Sequence, residues 1–351
     1  MTTSGSLIRK SLRDVAAAVL GKAPDSCELL AGGANNVCAR LALGGSVVLA
    51  KRYFWHSLDP RDRLGAEYGM LDLLWRNGVR NVPRPLAMDR ESRTGFYEFI
   101  DGRCLRPSEV GWREVGQLSR LLDRMHEISR LREAHKLPDA SDCVRASSDY
   151  LRNNERRFDR ICQAARESSC LAFVEFVEKG VVPMHRRLGR YAGERARADG
   201  ARGRARIRRS ELTLSPADHG FHNVLRRPNG RLAFLDFEYA GWDDPAQMIC
   251  NACLQPKIPI PANLRGRFLR DMVRRFGNEP SLAARVRLAY PLLIFKWALI
   301  MLNEFLPVPA MRRRFSGAHS PKREREQLKK AANQLVWLGK VLDAEDPLGI
   351  L

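Results

Sequence analysis

The segment 214–244, LSPADHGFHNVLRRPNGRLAFLDFEYAGWDD, constrains the fold of this chain more than any other. Two short apolar runs flank the turn sequence Pro-Asn-Gly at 228–230. Asn-Gly supplies the positive φ angles that a tight turn needs, so this pattern predicts a β-hairpin. A hairpin folds the chain back on itself. We therefore expect Asn223, at the start of one strand, to meet Asp236, at the end of the other.

Asp218, Asn223 and Asp236 together offer the groups that phosphoryl transfer requires. Oxygen ligands from Asn223 and Asp236 suit Mg²⁺, which keeps several waters and takes further ligands from substrate phosphates. Asp218 is then free to orient an acceptor hydroxyl and take its proton. Taken singly, each residue also has a structural interpretation, as a turn residue or a cap at a strand end. The spacing around a hairpin favours the catalytic interpretation.

The same residues resemble a known family. Asp218, Asn223, the hairpin and the LDFE sequence at 235–238 are similar to the catalytic loop and metal-binding segment of the aminoglycoside phosphotransferase and choline kinase family. The AGWDDPAQM sequence at 240–248 resembles that family too. The resemblance implies a protein-kinase-like fold, with Asp218 as catalytic base and with Asn223 and Asp236 as Mg²⁺ ligands. The chain departs from the family at 216–217, where Pro-Ala replaces the usual His-Gly.

Residues 28–51 predict three strands, and the first turn between them carries Gly32, Gly33, Asn35 and Asn36. Glycines let the backbone approach a ligand closely and offer its amides, which is typical of a flap over nucleotide phosphates. A Gly-Gly turn is also common in ordinary hairpins. The flap interpretation therefore depends on the residues that follow.

The last of these strands ends in Lys51, where kinases carry the lysine that contacts the α and β phosphates. A lysine at a strand end is ordinarily a solvated charge. However, Glu67 lies in the segment 61–78, whose apolar residues recur at helical spacing. By the resemblance to kinases, we expect Glu67 to pair with Lys51 and hold it toward the phosphates.

The sequence TGFYEFIDG at 94–102 predicts a strand that runs into a turn. In the family this position resembles the hinge between two lobes, where backbone groups of Glu98, Phe99 and Ile100 would contact the adenine. The alternative is an ordinary strand of the small lobe.

The composition is strongly basic, with 60 Lys and Arg against 40 Asp and Glu and a formal charge of +20. Nucleic acid, an acidic membrane surface and an anionic substrate are all compatible with this charge. The Arg-rich segment 185–209 predicts either a solvated helix with a linker, an arm that contacts an anionic partner, or a substrate lid. Its single aromatic residue favours the solvated form, because stacking partners for single-stranded nucleic acid are missing.

The eight cysteines show no pairing pattern, and the close pair Cys250 and Cys253 lies in an apolar stretch that predicts core thiols. We expect a reduced, cytoplasmic protein. The charged N-terminal stretch predicts an amphipathic helix and not a signal sequence. The apolar run 290–302 is too short for a membrane span and predicts a buried helix, so no membrane insertion is expected.

We therefore predict an α+β, protein-kinase-like two-lobed fold, with a small antiparallel sheet lobe and a mainly helical large lobe. The predicted divisions are an N-terminal helical segment 1–27, a nucleotide-binding small lobe 28–97, a hinge 98–102 and a helical large lobe 103–351 with the catalytic loop 214–244. The predicted function is ATP- and Mg²⁺-dependent phosphorylation of a hydroxyl group on a small molecule such as a sugar, polyol or amino alcohol, with GTP as the alternative nucleotide. The rival prediction is an inactive, basic protein of the same fold that binds nucleic acid or another polyanion.

Overall fold

The computed structural model describes residues 3–30, 35–198, 200, 206–277, 280–315 and 321–344. The chain divides into two compact units. The first unit comprises 1–104, 224–239 and 307–319, and the second comprises 105–223, 240–306 and 320–351.

The helices and strands have the following bounds. The helices are α1 (Thr3–Leu20), α2 (Arg63–Arg76), α3 (Trp112–Ile128), α4 (Ser147–Arg166), α5 (Leu171–Phe176), α6 (Val182–Ala198), α7 (Pro245–Leu254), α8 (Ala262–Arg275), α9 (Pro280–Met301), α10 (Pro307–Phe315) and α11 (Pro321–Asp343). The strands are β1 (Ser26–Leu30), β2 (Val37–Leu43), β3 (Ser46–Arg52), β4 (Pro85–Asp89), β5 (Thr94–Glu98), β6 (Arg103–Cys104), β7 (Thr213–Ser215), β8 (Val224–Arg226), β9 (Leu232–Phe234) and β10 (Gly241–Asp243).

The first unit is built on a five-stranded antiparallel sheet in the order β1-β2-β3-β5-β4. A two-residue turn joins β2 to β3, and its glycines Gly44 and Gly45 have φ angles of 56° and 86°. Two successive positive φ angles match the right-handed twist of a hairpin, so glycine is favoured at both positions. The three strands predicted for 28–51 are confirmed. Gly32 and Gly33, predicted to form the flap, lie outside the described residues.

Helices α1 and α2 complete the core of the first unit. Leu12 and Ala16 of α1 pack against an apolar cluster on the sheet that includes Leu41 and Phe96. The amphipathic helix predicted at the N-terminus is therefore confirmed. Helix α2 begins after Asp62, whose side chain accepts a hydrogen bond from the amide of Gly65 at 2.8 Å. Such a cap satisfies an amide that has no partner within the helix.

The hairpin predicted around 228–230 is formed by β8 and β9, but its turn differs from the prediction. Within that turn only Gly230 has a positive φ, of 77°, and the amide of Arg227 donates to the carbonyl of Arg231 at 2.9 Å. The reason is Pro228, which fixes a negative φ and favours a type I turn followed by a glycine bulge.

The structure groups residues 224–239 and 307–319 with the first unit, whereas the sequence-based divisions assign them to the large lobe. The hairpin belongs to the first unit because β8 also pairs with β6. Helix α10 belongs there because Phe315 packs edge-on against Phe54, with ring centroids 5.6 Å apart.

The second unit is mainly helical, with α9 buried at its centre. Pro291 lies inside α9 and has no amide hydrogen, so the carbonyl of Arg287, four residues earlier, loses its helical partner. The hydroxyl of Tyr191 on α6 donates to that carbonyl at 3.0 Å and replaces the missing bond. By length and composition the segment 281–305 resembles a membrane span, but 83% of its most apolar window is buried inside the protein, as in a core helix. The predicted buried helix is confirmed.

Strand β7 pairs with β10, and this ribbon carries the chain into the loop that contains Asp218. After β10, Asp244 caps α7 by accepting from the amide of Ala246 at 3.0 Å, and Pro245 occupies the first helical position. Asp244 therefore has a structural role at the start of α7. The α+β class with a small antiparallel sheet and a mainly helical part is likewise confirmed.

Candidate active site

Lys51 lies between two carboxylates of the first unit. Its Nζ is 2.6 Å from Oε2 of Glu67 and 2.6 Å from Oδ1 of Asp236. The sheet positions Lys51 near the end of β3, helix α2 supplies Glu67, and Asp236 follows β9 by two residues with a φ of 68°. The predicted Lys51–Glu67 ion pair is present, and Asp236 is a second partner that the sequence analysis did not assign to this lysine.

Tyr53 braces the ion pair from a second direction. Its hydroxyl donates to Oε2 of Glu67 at 2.8 Å and lies 2.7 Å from the hydroxyl of Tyr97. Burial on its own would lower the pKa of Lys51. The carboxylates of Asp236, Glu67 and Glu238 outweigh burial and hold that pKa well above its ordinary value. Lys51 is thus a fixed, permanent cation.

Glu238 fixes Asn35 and Asn36, which directly precede β2. Asn36 donates to Oε2 of Glu238 at 2.6 Å, and Asn35 donates to Oε1 at 3.1 Å. The side chains of both predicted flap asparagines are therefore held by the first unit itself. Glu238 was not predicted as a site residue, although its position two residues after Asp236 was a usable signal.

The predicted hinge residues lie at the end of β5 in the first unit. The amide of Glu98 donates to the carbonyl of Arg84 at 2.8 Å, and the guanidinium of Arg40 lies 5.5 Å from the ring centroid of Phe99. Ile100 is buried. Their contact with an adenine stays a prediction.

The loop with Asp218 and Asn223 lies in the second unit and is held by short-range hydrogen bonds. The amide nitrogen Nδ2 of Asn223 donates to the carbonyl of Asp218 at 3.0 Å, and the backbone amide of Asp218 donates to the carbonyl of Pro216 at 2.8 Å. Ala217 has a φ of 63°, a left-handed conformation that favours glycine. The family usually has glycine at this position, so here a side chain occupies a strained backbone.

The Asp218 side chain has basic neighbours. Its Oδ2 lies 3.7 Å from Nε2 of His222, and its Oδ1 is buried without a hydrogen bond among the described residues. Burial on its own would raise the pKa of Asp218. The nearby His222, His219 and Lys257 outweigh that effect, so the pKa lies below its ordinary value and the group is ionised at neutral pH.

Two histidines brace this loop and were not identified from the sequence. His219 is buried and its Nε2 donates to the carbonyl of Met248 at 2.9 Å, while burial lowers its pKa to about 4 and keeps it neutral. His222 accepts from the Gln255 side chain at 3.2 Å. The orientation of the Gln255 amide is fixed because its oxygen accepts from the amide of Lys257 at 2.7 Å.

The Arg-rich segment 185–209 is described in part. Residues 185–198 form most of α6, which buries Leu188 and Ala192, while residues 199 and 201–205 lie outside the described residues. Cys250 and Cys253, predicted as core thiols, are buried in α7.

The chain is similar in sequence to one protein family and in structure to several solved proteins. The sequence profile of the phosphotransferase enzyme family matches residues 26–289. No curated protein sequence matches the chain significantly. Among solved structures, a spectinomycin phosphotransferase in complex with ADP and spectinomycin has a TM-score of 0.61 at 12% identity, covering 95% of this chain and 98% of its own.

Two kinases of small alcohols are similar to a comparable extent. A choline kinase from Streptococcus pneumoniae has a TM-score of 0.59 at 12% identity, covering 94% of this chain and 99% of its own. An ethanolamine kinase from Plasmodium vivax has a TM-score of 0.56 at 12% identity, covering 93% of this chain and 83% of its own. The kinase-like fold expected from the sequence is confirmed.

Proposed function

The chain belongs to the phosphotransferase enzyme family and is a small-molecule phosphotransferase, and from this premise we propose that it transfers the γ-phosphate of Mg²⁺-bound ATP to a hydroxyl group. The acceptor class that we propose is a sugar, polyol or amino alcohol. The structural relatives crystallised with ADP or AMP support a nucleotide as the phosphate donor.

The observation that carries this proposal is the position of Lys51 between Glu67 and Asp236. A buried ammonium fixed by two carboxylates is a pre-organised cation, so little rearrangement is required when it contacts a phosphate oxygen. In our proposal Lys51 binds the α and β phosphates, and Glu67 and Tyr53 orient it.

Asn223 and Asp236 fit the ligand preferences of Mg²⁺. The amide nitrogen of Asn223 is used by the carbonyl of Asp218, which leaves the oxygen of that side chain for a cation. Asp236 keeps 31% of its side-chain surface exposed while Oδ1 contacts Lys51. Hard oxygen atoms of this kind are the ligands that Mg²⁺ takes alongside water and phosphate. When bound, the ion would neutralise charge on the transferring phosphoryl group.

Asp218 would act on the acceptor. As an ionised carboxylate it can accept a hydrogen bond from the acceptor hydroxyl, orient its oxygen toward the γ-phosphorus and take its proton. The bond between the γ-phosphorus and the bridging oxygen of ADP breaks, and a bond from phosphorus to the acceptor oxygen forms. ADP leaves with the bonding electrons.

An inactive binding protein, the rival prediction, has no use for this set of groups. Nucleic-acid binding requires neither the braced Lys51 nor an ionised Asp218. Membership of an enzyme family further favours catalysis.

The test is a calorimetric titration of ATP with and without Mg²⁺ on the wild type and on Asp236→Ala. We expect tight binding by the wild type only when Mg²⁺ is present, and loss of this metal dependence in the variant. Asp89→Ala is the matched control, because Asp89 lies in the same unit and accepts from the amide of Ser92 instead of from Lys51.

Two results would contradict the proposal. A wild type that binds no nucleotide with Mg²⁺ present excludes the kinase activity. Equal metal-dependent affinity in the wild type and Asp236→Ala removes Asp236 from the metal site.

A further inference from the structure

The second unit contains a cavity of about 440 Å³ to which the proposed catalysis assigns no role. It lies beside the C-terminal end of α7 and is bounded by α8, α9 and α11. Among the residues that line it are Gln255, Arg265, Lys330, Gln334 and Trp337. The volume falls within the range of about 300–1,000 Å³ that small-molecule sites occupy.

The charge of this cavity has one sign. Its charged lining residues, Arg265 and Lys330, are both cationic, and the described part of the lining includes no Asp or Glu. Arg265 lies over the ring of Trp337 at 4.9 Å and donates from Nε to the carbonyl of Ile260 at 2.8 Å. Within the described residues, neither cation forms an ion pair with a carboxylate. By contrast, Arg285 in the same unit is paired with Asp244 at 3.1 Å.

A neutral donor accompanies the two cations. The side-chain nitrogen Nε2 of Gln334 is buried and has no hydrogen-bond partner among the residues described. A buried donor without an acceptor destabilises the protein unless something binds it. The cavity therefore presents an ammonium, a guanidinium and an amide N–H, which are the groups that recognise carboxylate and phosphate oxygens.

Gln255 joins this cavity to the loop that carries Asp218. Its side chain lines the cavity and also packs against the loop so closely that a Cβ at Gly220 would lie 2.5 Å from Cγ of Gln255. Its Nε2 lies 3.2 Å from Nε2 of His222, which in turn lies 3.7 Å from Oδ2 of Asp218. Two side-chain contacts thus separate the wall of the cavity from the proposed base.

We propose that this cavity binds the oxyanion end of the phosphate acceptor, a small hydroxyl compound carrying a carboxylate or a phosphate, and that the hydroxyl end of the same molecule extends past Gln255 and His222 to Asp218. This inference rests on the proposed function and narrows its acceptor class. The cavity lining attracts an anion and repels a polycation or a quaternary amine. Cationic amino alcohols are therefore the disfavoured acceptors.

The first experiment measures ADP release from Mg²⁺-bound ATP with four small acceptors of two or three carbons that differ in charge. The probes are glycerate, glycerol 3-phosphate, glycerol and ethanolamine. We expect turnover with an anionic probe to exceed turnover with the neutral and cationic probes by about tenfold or more, since a charge-assisted hydrogen bond contributes at least that factor. Turnover that is highest with glycerol or ethanolamine overturns the inference and leaves the proposed function intact. The comparison of glycerate with glycerol 3-phosphate identifies which oxyanion is preferred.

The second experiment does not depend on catalysis. Calorimetry with glycerol 3-phosphate, in the absence of nucleotide, compares the wild type with Lys330→Gln and Arg265→Gln. We expect the Kd to rise about tenfold in each variant. Lys329→Gln is the matched control, because Lys329 is an exposed lysine on the same helix outside the cavity lining, and its Kd should not change. ATP affinity should stay the same in all three variants.

These measurements separate the two ideas. If no nucleotide binds and no phosphate is transferred, the proposed function is wrong. The calorimetric titration with glycerol 3-phosphate still shows whether the cavity binds an anion, because it uses no nucleotide. If the wild type does not bind glycerol 3-phosphate, or if Lys330→Gln and Lys329→Gln bind it equally, the cavity assignment is wrong. Because Lys330 is exposed, Lys330→Gln is expected to fold. The test therefore stays valid even if Arg265→Gln does not fold.

Discussion

At the scale of single residues, the charge on Asp218 follows from its neighbours. Burial opposes ionisation, but the hydrogen-bonding and electrostatic effects of His222, His219 and Lys257 outweigh it and hold the pKa of Asp218 below its ordinary value. Because a lowered pKa keeps the carboxylate charged at every pH above it, this group stays ionised throughout the physiological range. Turnover should therefore show no acid limb from Asp218 between neutral pH and the ordinary pKa of an aspartate.

Asp218→Asn is the variant that separates binding from chemistry. It keeps the shape of the side chain but removes the proposed proton acceptor, so turnover should fall by about 10²–10⁴-fold. ATP affinity should remain, because Lys51, Glu67 and Asp236 are unchanged. Calorimetry gives the affinity and ADP release gives the turnover.

The control for that experiment is Lys51→Ala, which removes the proposed phosphate contact and retains the proposed base. It should weaken ATP positioning, whereas Asp218→Asn should not. Equal turnover of the wild type and Asp218→Asn on a true acceptor would show that another group takes the proton.

The contacts that were predicted from the sequence differ from those that were missed in how far apart the two partners lie along the chain. The Lys51–Glu67 pair was predictable because the resemblance to kinases implies it, and the two residues lie only sixteen positions apart on a strand and the helix that follows it. The bond from Asn36 to Glu238 joins residues 202 positions apart. No local pattern specifies such a contact, since it exists only when the fold brings the segment after the hairpin next to the start of β2.

At the scale of helices and strands, termini were easier to predict than turns. Asp244-Pro245 is a strong start signal, and α7 begins there. The turn at 228–230 was predicted with the wrong φ pattern because Pro228 and Asn229-Gly230 favour different turn types. In the structure the proline decides, because its φ is fixed by a covalent ring.

Asp244→Ala tests how much the start of α7 contributes to stability. Asp244 is buried, caps the helix, accepts from Tyr150 at 2.9 Å and pairs with Arg285 at 3.1 Å. Removing Asp244 takes the closer carboxylate from the largely buried Arg285 and leaves it only Glu211 at 3.7 Å, so the free energy of unfolding should fall by about 3 kcal/mol. Urea unfolding followed by circular dichroism measures it.

Asp271→Ala is the matched control for the stability measurement. Asp271 also contacts an arginine, Arg274 at 3.0 Å, but on the surface of α8. A surface pair contributes about 0–1 kcal/mol, so this change should be small. An equal decrease in the free energy of unfolding in both variants would mean that the buried Asp244 ion pair contributes no more to stability than a surface pair.

At the scale of the whole molecule, the sequence predicted two parts of different composition but not how the chain is shared between them. Three separate stretches make up each unit. A linear division at one hinge misses this, because a short hairpin and α10 associate with the unit that their apolar and strand-pairing surfaces fit. The net charge of +20 also describes the whole chain, and it does not by itself identify the location of a binding site.

The exposed arginines of α6 test the solvated interpretation of the basic segment. Arg186, Arg190 and Arg197 are exposed, whereas Leu188 and Ala192 anchor the helix. Replacing the three arginines with glutamine should leave kcat and KM for the acceptor unchanged, because screened surface charges act weakly on a small molecule. The assay is run at low and high salt. A KM that rises at low salt only would instead show that α6 attracts an anionic partner.

The cluster around Lys51 has a consequence for how a nucleotide can arrive. The ammonium of Lys51 contacts the carboxylates of Glu67 and Asp236, and the carboxylate of Glu238 also helps to raise its pKa, so carboxylates are in excess over ammonium groups in this cluster. The phosphates of metal-free ATP would meet repulsion there. A nucleotide that brings its own divalent ion cancels that excess. The first unit would thus act as a filter that admits the metal complex and rejects the bare nucleotide, and chelation of the metal would hinder entry before it hindered chemistry.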